Sequence, residues 1–320
     1  MRGILRTLCT SQEKGTPKTA AQAAEFVADH GLRGDAHAGP WHRQVSLLDC
    51  ADFAAMQQQL PEISPGAFGE NLTVEGLDCS SFGLGTRLRL GARAELRISQ
   101  LGKVCHSRCA IYHQTGDCIM PRLGLFARVL TGGSVAIGDP VEVVELVARE
   151  RFQVVVLTVS DRCAAGSAED TAGPAAAAAI EQALGAHTYR VEVVPDETDT
   201  IAERLKHYCD GHSIDLVLTV GGTGFSPRDV TPEATRPLLE RLTPGLDEAM
   251  RAASLRSLPQ ALLSRGVSGI RGSTLAVNLP GSREAATENL SAILPALGHG
   301  LKKLRGDPTD CATPARHDEE

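Results

Sequence analysis

The chain has 320 residues, of which 42% are hydrophobic and 3% aromatic, and its formal net charge is −7 at pH 7. This length suits two domains of ordinary size, and no apolar run approaches the ~20 residues that a membrane-spanning helix needs. The charge is uneven, because residues 1–148 carry 14 basic and 15 acidic side chains whereas residues 149–320 carry 18 and 24. Neither half has the basic excess of a nucleic-acid-binding protein, and few aromatic side chains are present to stack on bases.

The chain contains nine cysteines, and their number bears on the redox state of the compartment in which the protein is found. Nine is an odd number, and the N-terminus lacks the pattern of a secretory signal. Together these features predict a reduced, cytoplasmic protein with one or more functional thiols, without membrane or nucleic-acid partners.

The first half reads as short strands separated by glycine pairs and Gly-Asp steps. Helical patterns are limited to three segments, Thr19–Asp29, Asp49–Gln59 and Gly124–Leu130. This pattern predicts a mostly-β domain over residues 1–146, built as a barrel. The predicted strands are Val45–Leu48, Leu72–Val74, Arg87–Leu90, Ala94–Ser99 and Val141–Val144.

The second half alternates strands with helices, which predicts a three-layer α/β domain with a largely parallel sheet over residues 151–306. Residues 307–320 are predicted to be a disordered tail. The predicted strands are Gln153–Ser160, Tyr189–Val194, Ile214–Val220 and Thr274–Asn278. The predicted helices are Gly173–Leu184, Thr200–Cys209, Pro232–Arg241, Leu246–Ser254 and Arg283–Leu304.

The segment TVGGTGFSPRDVTPEAT, residues 219–235, is the most informative part of this half. It follows a buried apolar strand and bends at four residues, Gly221–Gly224, where successive backbone N–H groups can face an anion. Thr231 is predicted to cap the following helix, with Pro232 at its first position. The carboxylate of Asp229 follows this turn. A carboxylate beside an anion site indicates a bound metal ion or a role in proton transfer.

Ligands of parallel sheets bind beyond the carboxyl ends of the strands, so three further loops are candidates, at residues 160–162, 195–197 and 278–282, and Arg265 could supply a cation. Asp196 and Asp229 together suit Mg²⁺ shared with substrate phosphates, which fits phosphoryl or nucleotidyl transfer. Taken singly, Asp196 fits a turn residue better than a metal ligand, whereas Asp229 fits a charge at a helix N-terminus as well as it fits a site residue. The candidate ligand-binding residues are Ser160, Asp161, Gly221, Gly222, Thr223, Gly224, Ser226, Arg228, Ser264, Arg265, Pro280, Gly281 and Ser282.

Residues 152–305 resemble the molybdopterin-binding domain of molybdopterin adenylyltransferases. The resemblance implies MgATP-dependent adenylylation of molybdopterin with release of pyrophosphate, with Asp196 and Asp229 as essential carboxylates. It also implies a trimer, and glycine loops that bind pterin and phosphate groups. The matching segments are SDRCAAGSAEDTAGP (160–174), VPDE (194–197), LTVGGTGFSPRDVTPEAT (218–235), LLSR (262–265) and TLAVNLPGS (274–282).

In the first half, the segment GKVCHSRCAIYHQTGDC, residues 102–118, contains Cys105, Cys109 and Cys118 with two histidines. The spacing allows a zinc site, and buried core cysteines are the competing interpretation. Cys105 differs because Lys103 and a histidine flank it and would favour its thiolate. A thiolate can carry sulfur or bind a soft metal such as molybdenum.

Residues 1–145 resemble a MOSC domain, a family named for the C-terminal domain of molybdenum cofactor sulfurase. By position its functional cysteine is Cys105, which implies binding of molybdenum cofactor or transfer of sulfur. His37 and His42 are predicted either to contact a phosphate or metal or to stabilise their loop. The matching segments are GLRGDAHAG (31–39), RQVSLL (43–48), PGAFGENLTVEGL (65–77), TRLRLG (86–91), GKxC (102–105) and GGSVAIGD (132–139).

Both halves therefore indicate the pterin of molybdenum cofactor as the common ligand. The hypothesis is a cofactor-biosynthesis enzyme whose second domain adenylylates molybdopterin and whose first domain binds, delivers or sulfurates the cofactor. A non-catalytic molybdopterin carrier or chaperone is the alternative. The expected partners are molybdopterin, ATP, and other cofactor-biosynthesis proteins or molybdoenzymes.

Overall fold

The computed structural model describes residues 1–103 and 118–308, together with Tyr112 and Gly116. The chain divides into two compact units, with the main division between Arg151 and Phe152. Each unit has its own cluster of buried apolar side chains. None of the helices in these described residues is long and apolar enough to cross a membrane.

The first unit is built around a closed barrel, as predicted. Its described strands are β1 (Arg2–Thr10), β2 (Thr19–Ala20), β3 (Ala23–Val27), β4 (Gly31–Leu32), β5 (Val45–Asp49), β6 (Leu72–Glu75), β7 (Arg87–Leu90), β8 (Ala94–Leu101), β9 (Leu125–Thr131), β10 (Gly133–Ala136) and β11 (Pro140–Glu145). Among them the order β11-β7-β8-β9-β5-β6-β1 closes on itself, because β1 also pairs with β11. Closure leaves these seven strands without a free edge.

Helices contribute little to the first unit. Helix α1 (Cys50–Gln59) begins after Asp49, whose side chain accepts a hydrogen bond from the amide of Ala51 at 2.8 Å. This confirms the helix predicted at that position. A second helix, α2 (Met120–Leu123), is one turn long, and Cys79–Ser81 forms a 3₁₀ turn.

Two of the predicted helices in this unit are wrong. The segment Thr19–Asp29 contains β2 and β3, and β3 pairs with both β10 and β4. The segment Gly124–Leu130 lies largely in β9, which pairs with β8 and β5. Alanine and leucine favour helices in isolation, but hydrogen bonds to strands distant in sequence override that local preference.

The second unit is a six-stranded sheet with helices, as predicted. Its strands are β12 (Gln153–Val159), β13 (His187–Val194), β14 (Leu216–Val220), β15 (Arg241–Leu242), β16 (Ser268–Arg271) and β17 (Thr274–Leu279). The order is β13-β12-β14-β17-β16-β15. The first four strands of that order pair in parallel, whereas β16 pairs antiparallel with both β17 and β15.

The helices of this unit are α3 (Asp161–Ala164), α4 (Ala172–Leu184), α5 (Thr198–Gly211), α6 (Thr231–Thr235), α7 (Pro244–Ser254) and α8 (Arg283–Leu304), with 3₁₀ turns at Arg236–Leu238 and Pro259–Leu263. The helix predicted over Pro232–Arg241 is shorter than expected. It ends at Thr235 and continues as the 3₁₀ turn, because Pro237 has no amide to donate to an α-helical bond.

The parallel strands determine where the loops of this unit meet. The carboxyl ends of β12, β14 and β17 lie side by side, with Val220 opposite both Thr158 and Leu279. All five residues of β14 are buried, so its chemistry lies in the loop that follows it. The glycine turn, the Ser160 loop and the Pro280 loop are therefore neighbours at one edge of the sheet.

Candidate active site

A cleft of about 870 Å³ opens at this edge of the second unit. It is lined by three loops that follow β12, β14 and β17, together with Asp196 after β13. The structure thus brings together loops that are widely separated in the sequence. The predicted site residues that line this cleft are Ser160, Asp161, Asp196, Gly221, Gly222, Ser226, Arg228, Asp229, Gly281 and Ser282.

A smaller compartment of about 330 Å³ adjoins the cleft. The two share Gly222, Asp229 and Gly281. Its other walls include apolar side chains, among them Leu258 and Leu263. The predicted residues found here but not in the larger cleft are Thr223, Gly224, Ser264 and Pro280.

The glycine turn has a backbone that other residues would not tolerate. Gly221 and Gly222 have φ angles of +112° and +63°, in the region that favours glycine. A Cβ at Gly222 would collide with the hydroxyl of Thr231 and lie 3.1 Å from Oδ1 of Asp196. The turn therefore approaches a carboxylate more closely than a side chain would allow.

Thr231 has a different role from the predicted one. Helix α6 starts at Thr231 after Val230, and no side chain caps it. The Thr231 hydroxyl instead donates to the carbonyl of Gly221 at 2.8 Å, and its amide donates to the carbonyl of Gly222 at 3.0 Å. Thr231 thereby secures the glycine turn against the start of the helix.

Asp161 and Asp196 hold each other through reciprocal hydrogen bonds. The Asp161 amide donates to Oδ2 of Asp196 at 2.7 Å, and the Asp196 amide donates to Oδ1 of Asp161 at 3.0 Å. The Arg228 guanidinium donates to both oxygens of Asp161, at 2.9 and 2.8 Å. Arg228 is thus directed at a carboxylate of the Ser160 loop, which lowers the pKa of Asp161.

Asp196 is in the opposite electrostatic situation. Burial raises its pKa, and the charges of Asp161 and Asp229 raise it further. The Asp161 amide and the charge of Arg228 act in the other direction without cancelling these effects. A cation bound at this carboxylate would relieve the unfavourable charge.

Asp229 accepts a hydrogen bond from the amide of Ser226 at 2.8 Å, within its own loop. Arg265 stabilises the same loop from outside, donating to the carbonyls of Gly224 at 2.7 Å and Asp229 at 2.5 Å. Arg265 also pairs with Glu233 and lines neither compartment. Its contacts suit a residue that positions the glycine turn.

Two serines at the cleft cap the helices that follow them. The Ser160 side chain accepts from the amide of Cys163 at 3.3 Å, and the Ser282 side chain accepts from the amide of Ala285 at 3.2 Å. Each starts a helix at the cleft. Ser282 stands at the N-terminus of α8, where the backbone amides favour a negatively charged ligand group.

Sequence reasoning missed several residues of the cleft. Arg162, Arg283 and Glu169 line it, as does Thr158 at the end of β12. The Thr158 hydroxyl donates to Asp170 at 2.7 Å, and the other oxygen of Asp170 accepts the amide of Gly173 at 2.9 Å. A polar residue within the apolar run of β12 was the available signal.

Much of the predicted cysteine site lies outside the described residues, including Cys105, His106, Cys109 and His113. Cys118 is buried at 9% exposure and packs in the apolar cluster with Phe53 and Met120. The part of the chain that is described contains no group of three or more His, Cys, Asp or Glu side chains able to hold a metal ion.

Both predicted histidines of the first unit contact side chains in their own unit. His37 Nδ1 lies 3.2 Å from Nζ of Lys18, and His42 Nε2 lies 2.8 Å from the side-chain oxygen of Gln100. Burial lowers the pKa of His42, which favours its neutral form.

Comparison with known proteins agrees with this architecture. Residues 155–299 match the family described as "Probable molybdopterin binding domain", and residues 34–142 match the MOSC domain. The molybdopterin adenylyltransferase of Helicobacter pylori (strain J99) is 39% identical over 159 residues, covering 49% of this chain and 90% of that protein. Gephyrin of Dictyostelium discoideum is 43% identical over 168 residues, covering 50% of this chain and 23% of gephyrin.

The chain therefore spans less than a quarter of gephyrin but nearly the whole of the bacterial transferase. A solved structure, the molybdopterin biosynthesis enzyme MoaB of Thermus thermophilus, is 48% identical, covering 50% of this chain and 99% of that one with a TM-score of 0.45.

The two family matches identify an α/β domain of the molybdopterin-binding type, preceded in the same chain, on its N-terminal side, by a MOSC domain. The chain belongs to the family of molybdopterin-binding domains that includes the molybdopterin adenylyltransferases, and so to the proteins of molybdenum cofactor biosynthesis.

Proposed function

We propose that the second unit transfers the adenylyl group of MgATP to molybdopterin. The observation that carries this proposal is the pair of carboxylates, Asp196 and Asp229, that flank the glycine turn in the larger cleft. In adenylyl transfer an oxygen of the acceptor bonds to the α-phosphorus of ATP, and the bond to the β-phosphate breaks, releasing pyrophosphate. Such a reaction requires alignment and charge neutralisation more than covalent chemistry.

The two compartments suit two substrates. We assign the larger, polar cleft to ATP and the smaller, more apolar compartment to the pterin, because ligand sites of ~300–1,000 Å³ hold molecules of this size. Gly222, Asp229 and Gly281 belong to both. The reacting phosphate would therefore lie beside Asp229 and the backbone of the glycine turn.

Mg²⁺ suits the acidic groups of this cleft. Asp196 has a raised pKa because of burial and two carboxylate neighbours, which is the situation that a divalent cation relieves. Asp196 and Asp229 would hold the ion jointly with substrate phosphates. When bound, Mg²⁺ supplies positive charge to the phosphates, while Arg228 keeps Asp161 ionised and in place.

For the first unit we propose that the MOSC domain, residues 1–146, binds, delivers or sulfurates the cofactor through Cys105. The second domain then comprises residues 151–306, and the tail residues 307–320. Joining the domains raises the effective concentration of an unstable pterin intermediate at the next site. A cytoplasmic location, a trimer, and other cofactor-biosynthesis proteins or molybdoenzymes as partners belong to this proposal.

The decisive experiment compares the wild-type chain with Asp229→Asn in an assay with molybdopterin and MgATP. Pyrophosphate release and adenylylated pterin are measured together. The variant should lose at least ~100-fold in rate, the loss typical of removing an electrostatic catalytic group. It should remain folded, since the asparagine oxygen can still accept the Ser226 amide.

The outcome also separates the enzyme from a carrier. Wild-type protein that binds molybdopterin tightly but forms no product would overturn the proposal and favour the non-catalytic carrier. Full activity of Asp229→Asn would overturn the assignment of this carboxylate.

A further inference from the structure

The smaller compartment of the second unit has a polar wall that comes from two helices. Helix α7 contributes Ser254 at its last position, and helix α8 contributes Glu288 and Asn289. Two carboxylates are among the described residues that line this compartment, Asp229 and Glu288. Asp229 also lines the larger cleft, whereas Glu288 does not. Glu288 is therefore the acidic group in the part of the compartment that the larger cleft does not share.

A directed series of hydrogen bonds fixes the Glu288 carboxylate. The side-chain amide of Asn289 donates to the carbonyl of Ala285 at 2.9 Å and to Oγ of Ser254 at 2.7 Å. Because a carbonyl only accepts, the nitrogen of this amide must face Ala285. Ser254 Oγ thus accepts from Asn289 and gives its single proton to Oε2 of Glu288, at 2.8 Å. Ser254 and Asn289 are both buried, so they hold the carboxylate in one orientation.

The carboxylate retains acceptor sites for a ligand. The Ser257 hydroxyl lies 3.3 Å from Oε1 of Glu288, and it shares its one proton with the carbonyl of Ser254 at 3.2 Å. Among the described residues no lysine or arginine pairs with Glu288. Arg251, which also lines the compartment, donates to the carbonyl of Gly266 at 3.4 Å instead. Since each carboxylate oxygen can accept two hydrogen bonds, Glu288 offers two adjacent acceptors.

The other walls suit a flat ring. Leu258, Ala261 and Leu263 line the compartment from the 3₁₀ turn and the residue before it. The volume of about 330 Å³ lies at the lower end of the ~300–1,000 Å³ of small-molecule sites. The compartment thus combines apolar surface for the faces of a ring with a pair of acceptors for donors on its edge.

A pterin carries two adjacent donors on one edge, the ring N3–H and the 2-amino group, as guanine does. Two donors side by side match the two oxygens of a carboxylate. We propose that Glu288 binds this edge of the pterin and so selects a 2-amino-4-oxo ring as the substrate. The inference rests on the proposed function, which assigns this compartment to the pterin, and it names the residue that recognises the ring.

The test compares two ligands that differ at this edge. Lumazine has an oxygen where pterin has the 2-amino group, so it presents an acceptor to the carboxylate. Binding of each to the full chain is measured by equilibrium dialysis without ATP or Mg²⁺. The wild type should bind pterin about tenfold or more tightly than lumazine, the difference expected for one hydrogen bond to a charged group. This comparison needs no variant, so it stays valid whatever the stability of a substituted chain.

Glu288→Gln should change the preference as well as the affinity. Because Ser254 donates to one oxygen, the glutamine oxygen takes that place and the NH₂ group takes the other. One acceptor and one donor match the N3–H and the 2-oxo group of lumazine, so the ratio of the two affinities should reverse. Glu248→Gln removes the same charge from an exposed position of α7 that lines neither compartment, and it should keep the wild-type ratio.

Four results would overturn the proposal. The wild type could bind neither ligand saturably, or bind pterin and lumazine equally, or bind guanosine as tightly as pterin. Glu288→Gln could also weaken both ligands by the same factor, which would mean that Glu288 only joins the two helices.

The result is separate from that of the adenylyl-transfer assay. Pterin selectivity without pyrophosphate release would overturn the transfer and leave the role of Glu288 standing. Transfer by a chain that does not distinguish pterin from lumazine would do the reverse.

Discussion

The carboxylate of Asp196 opposes folding, because burial and the charges of Asp161 and Asp229 raise its pKa. For an acid with a raised folded-state pKa, the penalty is absent below the ordinary aspartate pKa and grows as pH rises through that range. We expect Asp196→Asn to abolish adenylyl transfer while its unfolding temperature near neutral pH equals or exceeds that of the wild type. The difference should vanish at about pH 3, below the ordinary value of ~3.9.

Thermal unfolding at the two pH values checks this expectation, with Asp229→Asn as the comparison. A variant that unfolds several degrees below the wild type at neutral pH would mean that Asp196 is needed for structure. In that case its loss of activity would say nothing about chemistry.

Alanine substitution at Gly222 tests the close approach of the glycine turn to Asp196, and Gly185 provides a matched control. Both have similar φ angles, +63° and +59°, but a Cβ at Gly185 meets nothing within 4 Å. Each alanine substitution therefore carries the ~1–2 kcal/mol of left-handed backbone strain. Only Gly222→Ala should also displace Thr231 and Asp196, so it alone should abolish adenylyl transfer, as measured by pyrophosphate release. Equal activity of the two variants would contradict the close-approach argument.

At the level of elements, Asp170 joins the end of β12 to the start of α4. One oxygen accepts the hydroxyl of Thr158 and the other accepts the amide of Gly173. Asp170→Ala leaves both donors without this partner and should lower the free energy of unfolding by about 1–3 kcal/mol. The exposed neighbour Glu169→Ala should stay within ~0.5 kcal/mol. Denaturant unfolding measures both, and equal stabilities would show that the junction does not depend on Asp170.

The elements also show which predictions local sequence supports. Helix α8 begins at Arg283 and ends at Leu304, as predicted, because a serine cap and a long apolar face specify it locally. The sequence of strand β3 favours a helix, since its alanines have no helix-breaking neighbour and only Phe26 of the strand is fully buried. Its extended form depends on β10 and β4, which no local pattern reveals.

At the scale of the whole molecule, the two units have separate cores, so each should unfold in its own transition. Lys18→Met leaves the buried Asp35 carboxylate without its counter-charge, which costs about 3–5 kcal/mol. Calorimetry of the full chain should show the unfolding transition of the first unit at a lower temperature, while that of the second unit is unchanged.

Because the paired Asp35 has a strongly lowered pKa, the stabilisation that this ion pair gives the wild type is present above the ordinary aspartate pKa and is lost as pH falls below it.

The control for this experiment is Arg33→Met, which removes an ion pair with Glu25 that is exposed on both sides. Such a pair contributes about 0–1 kcal/mol, so neither transition should move appreciably. A single transition that shifts as a whole with Lys18→Met would show that the two units unfold together.

The sequence by itself determined the class of each half and the loops that carry the site. The loops that follow the strands of a parallel sheet lie at the same edge of that sheet. The order of strands and helices in the sequence therefore places Ser160, Gly222 and Pro280 near one another. Motif spacing likewise singled out Asp196 and Asp229, whose roles remain predictions.

Only the tertiary structure decided which groups pair. The contact of Arg228 with Asp161 and that of Arg265 with the glycine turn join residues 67 and 41 positions apart. The same holds for the buried ion pair of Lys18 with Asp35, 17 positions apart, and for His37, whose Nδ1 lies 3.2 Å from Nζ of Lys18. Such contacts depend on how loops pack in space, because a side chain's partners and its desolvation are properties of the folded surroundings and are absent from any local pattern.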